Sequence, residues 1–74
     1  MKVEQVKKLL AASPFRPFAI DLLTQRRVQV RHRDYAWFQD DDRTLWVEDD
    51  TGQTIILDVM LVQAIFVEPP SRQT

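Results

Sequence analysis

The feature that most constrains this chain is a ladder of short apolar runs between Phe18 and Glu68, separated from one another by turn-forming residues. Within the runs apolar and polar residues alternate, which is the period of a half-buried β-strand. We predict strands at residues 18–24, 27–39, 44–48, 53–58 and 63–68, the second of them long and bent near Asp34. Gly52, the only glycine, lies in a predicted hairpin loop and is expected to take a positive φ.

One amphipathic helix is predicted before the strands, over about residues 2–12. Val3, Val6 and Leu10 fall at i, i+3 and i+7, with charged and polar residues elsewhere on the helix. Pro14 ends the helix, because the residue before a proline is pushed out of the α region. The pattern therefore predicts a single domain over residues 1–70, followed by a flexible tail at residues 71–74.

The length of 74 residues and the absence of cysteine bound the class of protein. A chain of this size buries only roughly 60–65% of its unfolded surface, and self-association is a usual remedy for so thin a core. Without cysteine there are no disulfides, thiolate metal sites or thiol nucleophile. The longest apolar stretch, residues 55–67, contains Asp58 and Gln63 and is shorter than the roughly 20 residues of a membrane span. The charged N-terminus does not resemble a signal peptide, so we predict a soluble, cytoplasmic protein.

Charge is distributed unevenly along the chain, although the net charge is only −1. Residues 1–33 hold eight Lys and Arg against two acids, a net of +6, whereas residues 34–74 hold two Arg against nine acids, a net of −7. Such asymmetry suits an acidic ligand on one side or head-to-tail pairing of chains. The simpler expectation is that the two halves interleave in a small β-fold and that their charges cancel.

The order of elements carries a resemblance to known folds. One helix, five strands with a long bent second strand, two short hairpins and a one-turn link before the last strand resemble the Sm-like and SH3-like small barrels, including the bacterial Hfq-like RNA chaperones. The resemblance runs from about Phe18 to Pro69, and residues 64–69 are similar to the last strand of those chaperones. It implies a mainly β fold, a five-stranded antiparallel small barrel with an N-terminal α-helix.

A second resemblance rests on two short segments. Pro14-Phe15-Arg16-Pro17-Phe18, followed much later by Ile56-Leu57-Asp58-Val59, resembles a group of short uncharacterised bacterial proteins. It implies no function.

Nucleic-acid binding is what the resemblance to RNA chaperones implies, but this chain departs from their pattern. Val62-Gln63 stands where that family places a Lys-His pair, and Gln25-Arg26 stands where it makes an Asn-Gly turn. The remaining candidate face comprises Arg27, Arg31, Arg33 and Trp37. Phosphate neutralisation supplies much of the affinity for nucleic acid, and the sequence pI is near 5.7. Sm-like binding of RNA or single strands is therefore the alternative function.

No assembled catalytic, cofactor or metal site is found in the sequence. Asp50-Thr51-Gly52 spells the triplet of aspartic proteases, but a hairpin turn explains it better, since those enzymes need further glycines. The acidic turns at residues 40–42 and 49–50 lack the spacing of calcium loops. His32, the only histidine, is inward by strand period and is expected to be a half-buried core residue. We predict a non-enzymatic protein without cofactor or metal.

Apolar residues on both faces of the late strands are the strongest functional signal. The predicted second face holds Leu23, Trp46, Ile56 and Phe66. An antiparallel sheet with one face in water alternates cleanly, so these residues either lie under the helix or form an interface. We favour the interface, and expect a small-barrel interaction and oligomerisation module that binds a second copy or another protein.

Overall fold

The structure is a computed structural model that describes residues 2–69, and it is mainly β with one N-terminal helix. The predicted tail at residues 71–74 lies outside the described residues. The elements in chain order are α1 (Lys2–Ala11), β1 (Phe18–Leu22), β2 (Arg27–Val30), a 3₁₀ turn (Arg33–Tyr35), β3 (Ala36–Phe38), β4 (Thr44–Glu48), β5 (Thr54–Asp58), a second 3₁₀ turn (Val59–Leu61) and β6 (Val62–Val67).

The strands form two antiparallel sheets of three strands each. The first sheet has the order β2-β1-β6 and the second sheet has the order β3-β4-β5. Over residues 2–69 the two sheets are not joined into a closed barrel. The fold class is therefore confirmed at the level of a mainly β domain with an N-terminal helix.

The prediction of one continuous strand over residues 27–39 is wrong. Strand β2 ends at Val30, the chain makes a 3₁₀ turn at Arg33–Tyr35, and β3 begins at Ala36 in the other sheet. Arg33 fixes this turn, because its guanidinium donates hydrogen bonds to the carbonyl oxygens of Leu10 (2.6 Å) and Ala12. Residues 2–69 thus form six strands where five were predicted.

The last strand returns to the first. Strand β6 pairs with β1, with Ile20 opposite Ile65 and Ala19 opposite Phe66. The strands therefore do not form a simple meander, in which β6 would lie beside β5. The one-turn link at Val59–Leu61 connects the second sheet to the first. Asp58 caps this turn by accepting a hydrogen bond from the backbone N–H of Met60 at 2.8 Å.

The core lies between the inner faces of the two sheets. Alternation holds in β1, β2 and β4, whose burial alternates residue by residue as a half-buried strand requires. Val6 carries the helix into this core and is fully buried. The buried side chains are Val6, Phe18, Ile20, Leu22, Val28, Val30, Ala36, Leu45, Val47, Leu57, Val59 and Val62.

Two basic side chains, Arg33 and Lys7, connect the helix to the rest of the fold. Arg33 donates to the carbonyl oxygens of Leu10 and Ala12 at the C-terminal end of the helix. Carbonyl groups in this position have no partner within a helix. The Nζ of Lys7 lies 2.9 Å from Asp42 and 5.6 Å from the centre of the Phe38 ring.

Among residues 2–69 no helix has the length and apolarity needed to cross a membrane.

The hairpin turns use the chemistry that the sequence predicts. Gly52 has φ +86°, a left-handed conformation that a residue with a Cβ adopts only with strain, so this prediction is confirmed. Asp49 shapes the same loop by accepting hydrogen bonds from the backbone N–H groups of Thr51 and Gln53, both at 2.9 Å. These hairpins hold β3, β4 and β5 in register and so fix which side chains share the outer face of the second sheet.

Candidate protein-interaction surface

A row of large apolar side chains crosses the outer face of the second sheet. Trp37, Trp46 and Ile56 stand on adjacent strands in direct register, Trp37 opposite Trp46 and Trp46 opposite Ile56. The two indole rings are stacked, with centroids 6.1 Å apart and planes 15° apart. The exposed fraction is 44% for Trp37 and 56% for Ile56. We call these three residues the tryptophan row.

Trp46, the middle residue of the tryptophan row, is held by a hydrogen bond. The Nε1 of Trp46 donates a hydrogen bond to Oε1 of Gln39 at 3.0 Å, and Trp46 is half-buried between its neighbours. Indole rings fixed in this way lose little conformational freedom on binding, and burying a large apolar side chain contributes about 1.5–3 kcal/mol. A contiguous exposed row of this kind is typical of an interaction site.

The predicted interface set is divided by the structure among three places. Trp46 and Ile56 lie together in the tryptophan row, but Phe66 lies on the first sheet, opposite Ala19. Leu23 follows the end of β1, where its backbone N–H donates to the carbonyl oxygen of Leu61 at 2.8 Å. The expectation of one patch across Trp46, Ile56 and Phe66 is wrong because β6 pairs with β1 and not with β5.

Phe66 has a distinct environment on the outer face of the first sheet. It is 51% exposed, and the guanidinium of Arg27 lies 5.0 Å from the centre of its ring. Arg27 also pairs with Asp21 at 2.7 Å. This hydrogen bond holds the pKa of the Asp21 carboxyl below its usual range. A cavity of about 210 Å³ opens beside Phe66, lined also by Ala19, Arg27 and Gln29.

A third exposed apolar group lies at the second 3₁₀ turn. Met60 and Leu61 are exposed, and the carbonyl oxygen of Leu61 accepts the hydrogen bond from Leu23. Neither Met60 nor Leu61 was among the predicted interface residues. The available signal in the sequence was Asp58, because an Asp before Val59-Met60-Leu61 is a common cap of a short turn.

A groove separates α1 from β6. It has a volume of about 500 Å³ and is lined mainly by apolar side chains, with Leu9 on the helix and Val62, Ala64 and Ile65 on the strand. Of the described strands, only β1 pairs with β6, so the other edge of β6 lies towards this groove.

The candidate nucleic-acid face is not assembled. Arg27 pairs with Asp21, and Arg33 binds the end of the helix and lies 5.6 Å from the centre of the Phe15 ring. Arg31 donates to Gln29 at 3.2 Å and lies 3.7 Å from Asp50.

The fourth member of that face, Trp37, is on the other sheet. Arg27 and Arg31 line one cavity beside β2, whereas Arg33 and Trp37 do not, so the four predicted residues do not form one face.

His32 is exposed, so the expectation of a half-buried core histidine is wrong. The alternation that placed it inward ends with β2 at Val30. The His32 ring stands edge-on to the Tyr35 ring with centroids 5.1 Å apart.

The acidic turns act on their own backbone. Asp41 accepts hydrogen bonds from the backbone N–H groups of Thr44 and Arg43, both at 2.9 Å, and these donors hold the pKa of its carboxyl below the usual range. The hydroxyl of Thr51 donates to Asp49 at 2.7 Å and lowers the pKa of that carboxyl as well. Within residues 2–69 no three acidic or histidine side chains are placed to hold a metal ion.

The chain segments that form the two sheets, with their turns and connections, carry opposite net charge. The segment from β3 to β5, residues 36–58, holds seven acids against Arg43, a net of −6. Residues 2–33 and 59–69 hold eight Lys and Arg against three acids, a net of +5. The predicted interleaving of the two halves is partial: β6 joins the first sheet without bringing a charged residue, and the ion pairs Lys7–Asp42 and Arg31–Asp50 join the halves.

Comparison of the chain with models of protein families and with curated proteins finds no match.

Proposed function

We propose that this chain is a non-enzymatic interaction module that self-associates through the outer face of the second sheet. The observation that carries the proposal is the tryptophan row, in which exposed Trp37 and Ile56 stand in direct register on either side of half-buried Trp46. Self-association suits a chain of 74 residues, whose core is too small to bury every large apolar side chain. The alternative partner of this surface is another protein.

The proposal includes a relation to the Sm-like and SH3-like small barrels. If β2 and β3 are counted as the two halves of one bent strand, the chain has the five strands and the one-turn link before the last strand of those folds. The orders β2-β1-β6 and β3-β4-β5, with the chain passing between sheets at residues 31–35, support this relation. Fold alone does not determine function, so the relation does not imply that this chain binds RNA.

The proposal includes a cytoplasmic location, because a chain without cysteine needs no oxidising compartment.

Charge argues against the RNA-binding alternative. The stacked rings of Trp37 and Trp46 would offer a platform for bases. They stand, however, within residues 36–58, a segment whose strands and hairpin turns hold a net charge of −6, which repels phosphate.

Sedimentation velocity of a matched pair of variants tests the proposal. Ile56 and Met60 have nearly the same exposed fraction, 56% and 57%, and only Ile56 lies in the tryptophan row. We expect the wild type to sediment as an oligomer at about 100 micromolar, Ile56→Lys to sediment as a monomer, and Met60→Lys to behave as the wild type. A wild type that is monomeric at this concentration, or a Met60→Lys variant that dissociates as fully as Ile56→Lys, would contradict it.

A further inference from the structure

We infer that the self-association is head to tail: the tryptophan row of one copy docks on the outer face of the first sheet, around Phe66, of a second copy. This inference rests on the proposed function and names the partner of that surface as a different surface of the same chain.

Charge complementarity favours two different surfaces. Residues 36–58, which form the second sheet and its hairpin turns, hold a net charge of −6, and residues 2–33 with 59–69, which form the helix, the first sheet and their connections, hold +5. Two ion pairs within the chain, Lys7–Asp42 and Arg31–Asp50, offset part of each sum. A symmetric contact of the second sheet with itself would bring two such acidic segments together, and like charges facing each other across an interface oppose association. A head-to-tail contact instead brings the acidic segment of one copy to the basic side of the next.

The outer face of the first sheet has room for a large side chain. It carries the small side chains of Ala19 and Ala64 beside Phe66. The cavity of about 210 Å³ next to Phe66 offers room for an aromatic side chain. Trp37, which is 44% exposed, is the aromatic ring of the row with the most surface available to enter it.

The chemistry of that cavity suits an indole ring. Phe66 supplies a ring edge or face for aromatic packing, which prefers offset or edge-on geometry. Arg27 already lies 5.0 Å from the centre of the Phe66 ring, held by Asp21 at 2.7 Å. An indole entering the cavity would meet the same guanidinium, and tryptophan is the ring with the strongest attraction for a cation.

A head-to-tail contact leaves one surface of each terminal copy unoccupied. Such heterologous association forms a ring if the rotation between copies closes, and an open chain if it does not. In either case, a variant that lacks one surface still presents the other.

Mixing two blocked variants tests the inference. Ile56→Lys blocks the second-sheet surface and leaves the Phe66 surface intact, while Phe66→Lys does the reverse. We expect each variant alone to be monomeric by sedimentation and the equimolar mixture to form a dimer that grows no further. In the mixture, one tryptophan row meets one Phe66 surface, and both remaining surfaces are blocked. Circular dichroism melts establish that each variant is folded; where a lysine variant is not, Ile56→Ser or Phe66→Ser replaces it.

Two results would overturn the head-to-tail arrangement. Phe66→Lys self-associating as strongly as the wild type would mean that the Phe66 surface is not the partner, and a mixture that stays monomeric would mean that the two surfaces do not meet. In both results the wild type still self-associates and the proposed function stands, whereas a monomeric wild type removes both. Raising the salt from about 0.1 M to about 1 M, which shortens the Debye length from about 10 Å to about 3 Å, is expected to weaken the mixed dimer at least about tenfold. An affinity unchanged by salt contradicts the charge argument.

Discussion

Removing the guanidinium of Arg33 is expected to loosen the helix from the β-structure. Arg33 donates to the carbonyl oxygens of Leu10 and Ala12 and lies over the Phe15 ring at 5.6 Å. Hydrogen bonds from charged groups contribute about 1.5–3 kcal/mol each when well shielded. Solvent exposure lowers that contribution, and an exposed cation–π contact adds about 0.5 kcal/mol. We expect Arg33→Ala to lower the free energy of unfolding by about 1.5 kcal/mol in total, out of a stability of roughly 4–11 kcal/mol for a chain of this length.

Urea denaturation followed by circular dichroism measures this change, and a second arginine provides the control. Arg31 is also exposed, but its contacts are a 3.2 Å hydrogen bond to Gln29 and a 3.7 Å approach to Asp50. Arg31→Ala is therefore expected to change the free energy of unfolding by less than about 0.5 kcal/mol. On heating, Arg33→Ala should melt roughly 6–12 °C below the wild type. Equal stabilities for the two variants would refute the role of Arg33 in binding the helix.

Three further changes have defined outcomes. Gly52→Ala should destabilise the fold by about 1 kcal/mol in urea denaturation, because a Cβ at φ +86° is strained; an unchanged midpoint would contradict this. His32→Gln should change stability by less than about 0.5 kcal/mol, since His32 is exposed, and a loss above about 1 kcal/mol would restore its core role. Acid should destabilise the protein, because hydrogen bonds from Arg27 and Arg43 hold the carboxyl pKa values of Asp21 and Asp58 below those of the unfolded chain. These carboxylates stabilise the fold above the unfolded pKa of about 4, and that stabilisation is lost as the pH falls through the lowered folded values; melting temperatures that stay constant from about pH 6 to about pH 2 would exclude this contribution.

The periodicity of the sequence predicted the bounds of individual elements well where the pattern is local to the element. Residues 44–48 form β4 at the predicted bounds, and the helix, predicted over about residues 2–12, ends at Ala11. Alternation of apolar and polar residues is a local property, so it locates a strand without reference to the rest of the chain. The loop glycine at residue 52 was predicted for the same reason, since the turn alone requires its conformation.

Pairing partners were predicted less well, because they depend on contacts distant in the chain. The alternation through residues 27–39 gives no sign that Arg33 reaches back to Leu10, the contact that separates β2 from β3. Likewise, nothing local to β6 shows that Phe66 will lie opposite Ala19. The predicted interface residues Trp46 and Ile56 were adjacent in the structure because a short hairpin joins their strands. Phe66 and Leu23 were not adjacent to them, because Phe66 lies opposite Ala19 and Leu23 bonds to Leu61, both distant in the chain.

Intrinsic tryptophan fluorescence on dilution tests the central claim most directly. Both tryptophans of the chain, Trp37 and Trp46, lie in the tryptophan row, so no other indole contributes to the signal. If the row is buried in self-association, dilution from about 100 micromolar to about 1 micromolar exposes it to water by mass action, and the emission maximum moves to longer wavelength. Ile56→Lys should show the long-wavelength emission at every concentration. An emission maximum of the wild type that is the same at both concentrations, and the same as that of Ile56→Lys, would show that the tryptophan row is not the contact surface.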